Sequence, residues 1–206
     1  MMKKVLALFG VMLFCANVFA LNAVALTGEG CQDQKDRFER LVDGLDKDSF
    51  IVQNILTDLV YPMAGMTDEQ AQPLAVCYTS FKVKGVALVE FVRKNADISI
   101  GDVIGKEKAN LLAFAARVEQ LSEKAAFDQV VVKNNDLAIV DYVFENMINP
   151  MEQMSEQQAA GKVAIYKTYQ VKGRPLSEFL HEQSIHLDMY AEIRLDGFAN
   201  KIDPTK

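Results

Sequence analysis

With 206 residues, half of them apolar and 24% charged, the chain holds material for one domain or two small ones. That composition belongs to a globular protein and excludes both an intrinsically disordered and a membrane-embedded chain. The formal charge of −6 repels phosphate backbones and argues against nucleic acid as a partner.

The chain opens Met-Met-Lys3-Lys4, continues with an apolar run from Val5 to Ala16, and then turns to small residues. A charged start, a short apolar core and small-x-small sites ending at Ala20 and Ala25 form a secretory signal pattern. The run is shorter than the roughly 20 apolar residues that a spanning helix needs. We therefore expect residues 1–25 to be a signal peptide cut after Ala20 or Ala25, no transmembrane segment after its removal, and a periplasmic or secreted product. Either cut leaves two cysteines, Cys31 and Cys77, which an oxidising compartment would pair as a disulfide.

Residues 32–45 carry Phe38, Leu41, Val42 and Leu45 at helical spacing, which predicts a short amphipathic helix. Asp48 is a natural N-cap for the next helix, which buries Ile51, Val52, Ile55, Leu56, Leu59 and Val60 and is expected to stop at Pro62. Thr67 followed by Gln70 is a capping box that opens a further helix. That helix is expected to run to Gly85, with Gly85 as the left-handed C′ residue and Lys84 on the negative end of the dipole. Leu88, Phe91 and Val92 begin the next buried stripe, and a longer helix from about Asp102 to Ala126 follows. Gln129–Val132 is the one strand-like run, and with no evident partner strand it is expected to be a linker or a helix start.

The rest repeats what came before. Sliding the chain by 88 residues aligns 46–93 with 134–181 without a gap and gives fifteen identities in 48 positions. Among them are Pro62 with Pro150, Met63 with Met151, Tyr78 with Tyr166, and the run Val83-Lys84-Gly85 with Val171-Lys172-Gly173. Ser155 and Gln158 restate the capping box. A final helix is expected from about Arg174 to Ala199. The sequence thus predicts an all-α fold, a helical bundle built from two tandem copies of a small helical unit about a pseudo-two-fold. The first copy and its connecting helix take residues 26–126, and the second takes 127–206.

The chemistry-bearing residues are few. Glu178, His181, Glu182 and His186 resemble a zinc helix in composition only. Two histidines five apart diverge by about 140° around a helix and cannot clasp one ion. The first copy has Arg93 and Ile98 where the second has His181 and His186, so no second half-site exists for a carboxylate-bridged metal pair. No nucleophile elbow, phosphate loop, haem site or calcium loop appears. This weighs against an enzyme, and no cofactor is expected. Lys84 with Glu90 and Lys172 with Glu178 read as ion pairs at the helix corners or as a repeated recognition patch. Tyr78, Tyr166 and Tyr169, with the loop methionines, are candidates to contact a ligand.

The function these observations favour is an exported, non-catalytic protein that binds another protein, in an inhibitor, immunity or secretion-accessory role. The alternatives are a carrier holding an apolar small molecule between the two copies, and a metal-dependent enzyme using the Glu178–His186 stretch.

Overall fold

The computed structural model describes residues 28–98 and 104–204. The proposed signal segment and the Asp102 helix start lie outside them. The described chain is overwhelmingly helical, and it divides into two compact units with the boundary between Glu123 and Lys124. No described helix is long and apolar enough to cross a membrane.

In the first unit, α1 (Gly28–Asp43) lays Phe38 and Val42 into the core, while Leu41 is left half exposed. After a short turn come α2 (Asp48–Ile55), a π-helical turn at Leu56–Val60 and α3 (Tyr61–Ala64) without a break. Pro62 does not stop this helix as expected. Proline has no N–H, and its ring collides with the carbonyl four residues back in a regular α-helix. Here the turn before it is widened: the Tyr61 N–H donates to the Leu56 carbonyl, five residues back. The widened turn accommodates the proline inside the helix. Ile51, Val52, Ile55, Leu56, Leu59, Val60 and Met63 are all buried along this rod.

The Thr67 hydroxyl accepts from the Gln70 amide and the Gln70 side chain accepts from the Thr67 amide, so the capping box opens α4 (Asp68–Tyr78) as read from sequence. The helix then ends well before Gly85. The Thr79 and Ser80 hydroxyls donate to the Val76 and Cys77 carbonyls, which satisfies acceptors that a helix end leaves open. No strand is expected here from the sequence, yet β1 (Lys82–Val83) and β2 (Val86–Ala87) pair antiparallel, with Val83 opposite Val86. Lys84 and Gly85 form the two-residue turn, both at positive φ (50° and 80°). Left-handed geometry at both central residues is the type I′ hairpin turn, whose twist matches the strands it joins. The glycine is therefore a hairpin residue and not a helix terminator. α5 (Leu88–Asn95) follows and buries Leu88, Phe91 and Val92.

α6 (Ile104–Lys133) is one continuous helix that absorbs the strand-like Gln129–Val132 run. Leu111, Phe114, Ala115, Val118 and Leu121 belong to the core of the first unit, and Phe127 to that of the second.

The second unit has the same order of elements. α7 (Asp136–Val143) is capped by the Asn135 side chain, which accepts from the Ala138 amide. A π-helical turn at Phe144–Ile148 again precedes a proline, Pro150, inside α8 (Asn149–Glu152), and the Asn149 N–H donates to the Phe144 carbonyl. The Ser155 and Gln158 capping box opens α9 (Glu156–Tyr166). β3 (Gln170–Val171) and β4 (Arg174–Pro175) form the hairpin, with Lys172 and Gly173 at φ 52° and 79° in its turn. The expected single final helix is two: α10 (Leu176–Ser184) and α11 (Met189–Ile202). The break is made by Asp188, whose carboxylate accepts from the Tyr190 and Ala191 amides and starts a new helix.

Ring packing anchors each core. Tyr78 meets Phe81 edge-on at 5.1 Å, and Phe38 packs on Phe81 at 5.2 Å. In the second unit Tyr166 meets Tyr169 edge-on at 5.4 Å, and Phe127 stacks on Tyr169 at 5.0 Å. Only the first unit has a covalent tie: the Cys31 and Cys77 sulfurs lie 2.08 Å apart, at disulfide distance, and join α1 to α4.

Candidate functional site

The hairpin charges come first. Lys84 pairs with the Asp48 carboxylate at 3.0 Å, and Lys172 with the Asp136 carboxylate at 2.6 Å. The expected corner pairs with Glu90 and Glu178 do not form. A hairpin projects its turn away from the helix that follows it, so each lysine reaches across 36 residues to the first residue of α2 or α7. A carboxylate in that position also favours the positive end of the helix dipole. These pairs are roughly half exposed, so each contributes little stability and chiefly fixes where the hairpin tip sits.

The three tyrosines are all buried: Tyr78 in the first core, Tyr166 and Tyr169 in the second. Their rings are engaged in the aromatic contacts just described. Burial pushes the Tyr78 hydroxyl up to about 12; the Gln34 side chain lowers it somewhat and the Asp58 carboxylate raises it, so it holds its proton throughout the neutral range. Met63 and Met151 are buried beside the prolines, in the same two cores.

The Glu178–His186 stretch does not converge. His181 Nδ1 contacts the Asp196 carboxylate on α11, and Glu182 pairs with Arg174. His186 is exposed beyond the end of α10. Among the described residues no three His, Cys, Asp or Glu side chains are grouped to hold a metal ion.

One surface stands out that the sequence did not single out. Where α7 and its π-turn face the first turns of α11, a groove of about 360 Å³ lies open. One wall carries Leu137, Val140, Asp141, Phe144 and Glu145, and the other Leu187, Tyr190, Ala191 and Arg194. The Arg194 guanidinium lies over the rings of Phe144 (5.4 Å) and Tyr190 (5.7 Å) while donating to Glu152 at 2.8 Å and Asn149 at 2.7 Å. Its charge is thus already met from within the unit. Leu137, Tyr190, Met189, Ile193 and Ile185 are each between 61% and 76% exposed. A signal for this did exist in the sequence. Leu195, Phe198, Ala199 and Ile202 bury one face of α11, so Met189 and Ile193, four apart, give the helix a second apolar face.

Comparison with protein-family models, with curated proteins and with solved structures gives no match.

Proposed function

We propose that this chain is an exported, non-catalytic protein, built by tandem duplication of one helical unit, that binds another protein through the open apolar face of its second unit. The carrying observation is the groove between α7 and α11, along which Leu137 and Tyr190 are exposed, with Ile185, Met189 and Ile193 also exposed on α11 and just before it. Apolar side chains left uncovered cost free energy in water, and an open groove lined by them is a common mark of an interaction site. The open walls suit a protein surface better than an enclosed small molecule, most of whose area a ligand pocket would bury.

Duplication is supported by the alignment at 88 residues and by features that recur at that spacing. They are a π-turn ahead of a proline, a capping box, and a two-residue turn with lysine and glycine both at positive φ. Non-glycine residues with positive φ are uncommon, and Lys84 and Lys172 are such residues at matching positions. Export is supported by the charged-then-apolar start and by the Cys31–Cys77 pair.

The test is a photocrosslinking side chain at position 193 of the full-length chain, expressed in its own cells, with the same group at the half-exposed position 76 as control. A discrete adduct at 193 that disappears with Met189→Asp is expected. Equal or absent crosslinking at both positions would sink the binding reading. N-terminal sequencing of the exported chain should begin at Leu21 or Leu26, and a product that retains Met1 would remove the export reading.

A further inference from the structure

Resting on the protein-binding reading above, we infer that the groove between α7 and α11 takes a basic amphipathic helix from its partner, with apolar anchors on one face and lysines or arginines beside them. The argument begins with the groove's charges. Asp141 and Glu145 stand in its α7 wall, both exposed. They lie four residues apart on one helical face, interleaved with the apolar Leu137, Val140 and Phe144. Neither makes an ion pair among the described residues, whereas Arg194, the groove's cation, is neutralised by Glu152. The floor is thus apolar and the uncompensated charge is negative.

Such a site selects by both terms. Leu137, Phe144, Leu187 and Tyr190 offer two facing helix walls between which the apolar stripe of a third helix can lie, the helix-in-groove mode. The carboxylates then favour cations flanking that stripe and repel an acidic helix. A second copy of this chain is a poor occupant on the same ground, because its formal charge is −6 and it would approach an acidic rim.

The experiment uses the full mature chain and three synthetic helix-forming peptides with identical leucine anchors. Their flanking positions carry lysine, glutamine or glutamate, and fluorescence anisotropy reads binding at low and at physiological salt. The lysine peptide should bind at least about tenfold more tightly than the glutamate peptide. Asp141→Asn with Glu145→Gln should shrink that difference with the chain's circular dichroism unchanged, since these exposed substitutions do not touch the core. Tyr190→Asp should weaken all three. Equal binding of the three peptides would overturn the inference and leave the protein-binding reading standing. Failure of all three would also overturn it, and the position-193 crosslink then decides the broader reading separately. A dimer in sedimentation that Tyr190→Asp dissolves would assign the groove to a second copy and likewise overturn the inference.

Discussion

The two units use one element order but differ in how they finish their surfaces. Among the described residues, the large apolar side chains exposed in the first unit are Leu41, Phe50, Tyr61, Val76 and Leu112, none more than 51% exposed. Those in the second are Val132, Leu137, Ile185, Met189, Tyr190 and Ile193, none less than 61%. The first unit instead carries the Cys31–Cys77 tie and the Arg117 clamp, in which the guanidinium donates to the Met63 and Met66 carbonyls and to Asp68. The equivalent of Cys77 in the second unit is Ile165, which packs against the core with no bond to make. One frame therefore supports two finishes. The first adds a sulfur bridge to its arginine clamp, and the second, braced by Arg194 on Glu152 and Asn149, leaves its apolar side chains more exposed.

The largest expected effect tests whether the sulfur tie is an addition to that frame or a condition of it. It closes 46 residues, a span for which loop-closure entropy gives about 4 kcal/mol. Replacing Cys31 and Cys77 with alanine should destabilise the first unit by that order and leave the second folded. Hydrogen exchange at Ile55 and Val143, the same position in each unit, reads the two separately. Equal loss of protection at both would show that the units do not fail independently, which breaks the comparison.

A smaller effect sharpens the likeness. A Cβ at Gly85 or Gly173 would touch nothing within 4 Å, so the cost of alanine there is the backbone's alone, at φ 80° and 79°. Each substitution should cost about 1–2 kcal/mol by denaturant titration, and the two costs should agree. Markedly unequal costs would mean that the hairpins share a shape but not a role.

The smallest effect concerns one position where the units differ. Asp58 stands in the first π-turn, and Asn146 is its counterpart in the second. Partial burial raises the Asp58 carboxyl above its ordinary range, against a lowering hydrogen bond from Thr57. The folded state therefore binds this proton more tightly than the unfolded state. Stability is fullest below the unfolded carboxyl range and declines as pH rises through the folded one. Asp58→Asn should raise the melting temperature slightly at pH 7 and change nothing near pH 3. A gain at pH 3 as large as that at pH 7 would disconnect it from ionisation.

Much of this architecture can be read from the residues, and the exceptions have physical causes. Thr67 with Gln70 and Ser155 with Gln158 locate helix starts because a capping box is a local bargain between neighbours, independent of tertiary context. Pro62 and Pro150 mislead because their usual meaning, a helix end, is escaped by one wide turn whose only sequence trace is the proline. Lys-Gly misleads for a similar reason. Asn-Gly would announce a type I′ turn, whereas lysine in the left-handed region carries no such signal, and a lysine before a glycine also fits a helix C-terminus. Lys84 then pairs with Asp48, a partner 36 residues away that no local rule could choose over Glu90. The groove is the least legible feature, since apolar side chains at helical spacing announce a face to be covered but not whether the chain itself covers it.

The unbroken run of α6 bears on how this protein can be dissected. The boundary between the compact units, at Glu123 and Lys124, falls inside that helix and not in a linker. A gene cut there would leave each fragment with a raw helix end, carbonyls open on one piece and amides on the other. The first fragment needs α6 through Leu121 for its core, and the second needs it from before Phe127. Halves separated at that boundary would each keep these core residues without overlap, and each would need a new cap where the thirty-residue helix is severed.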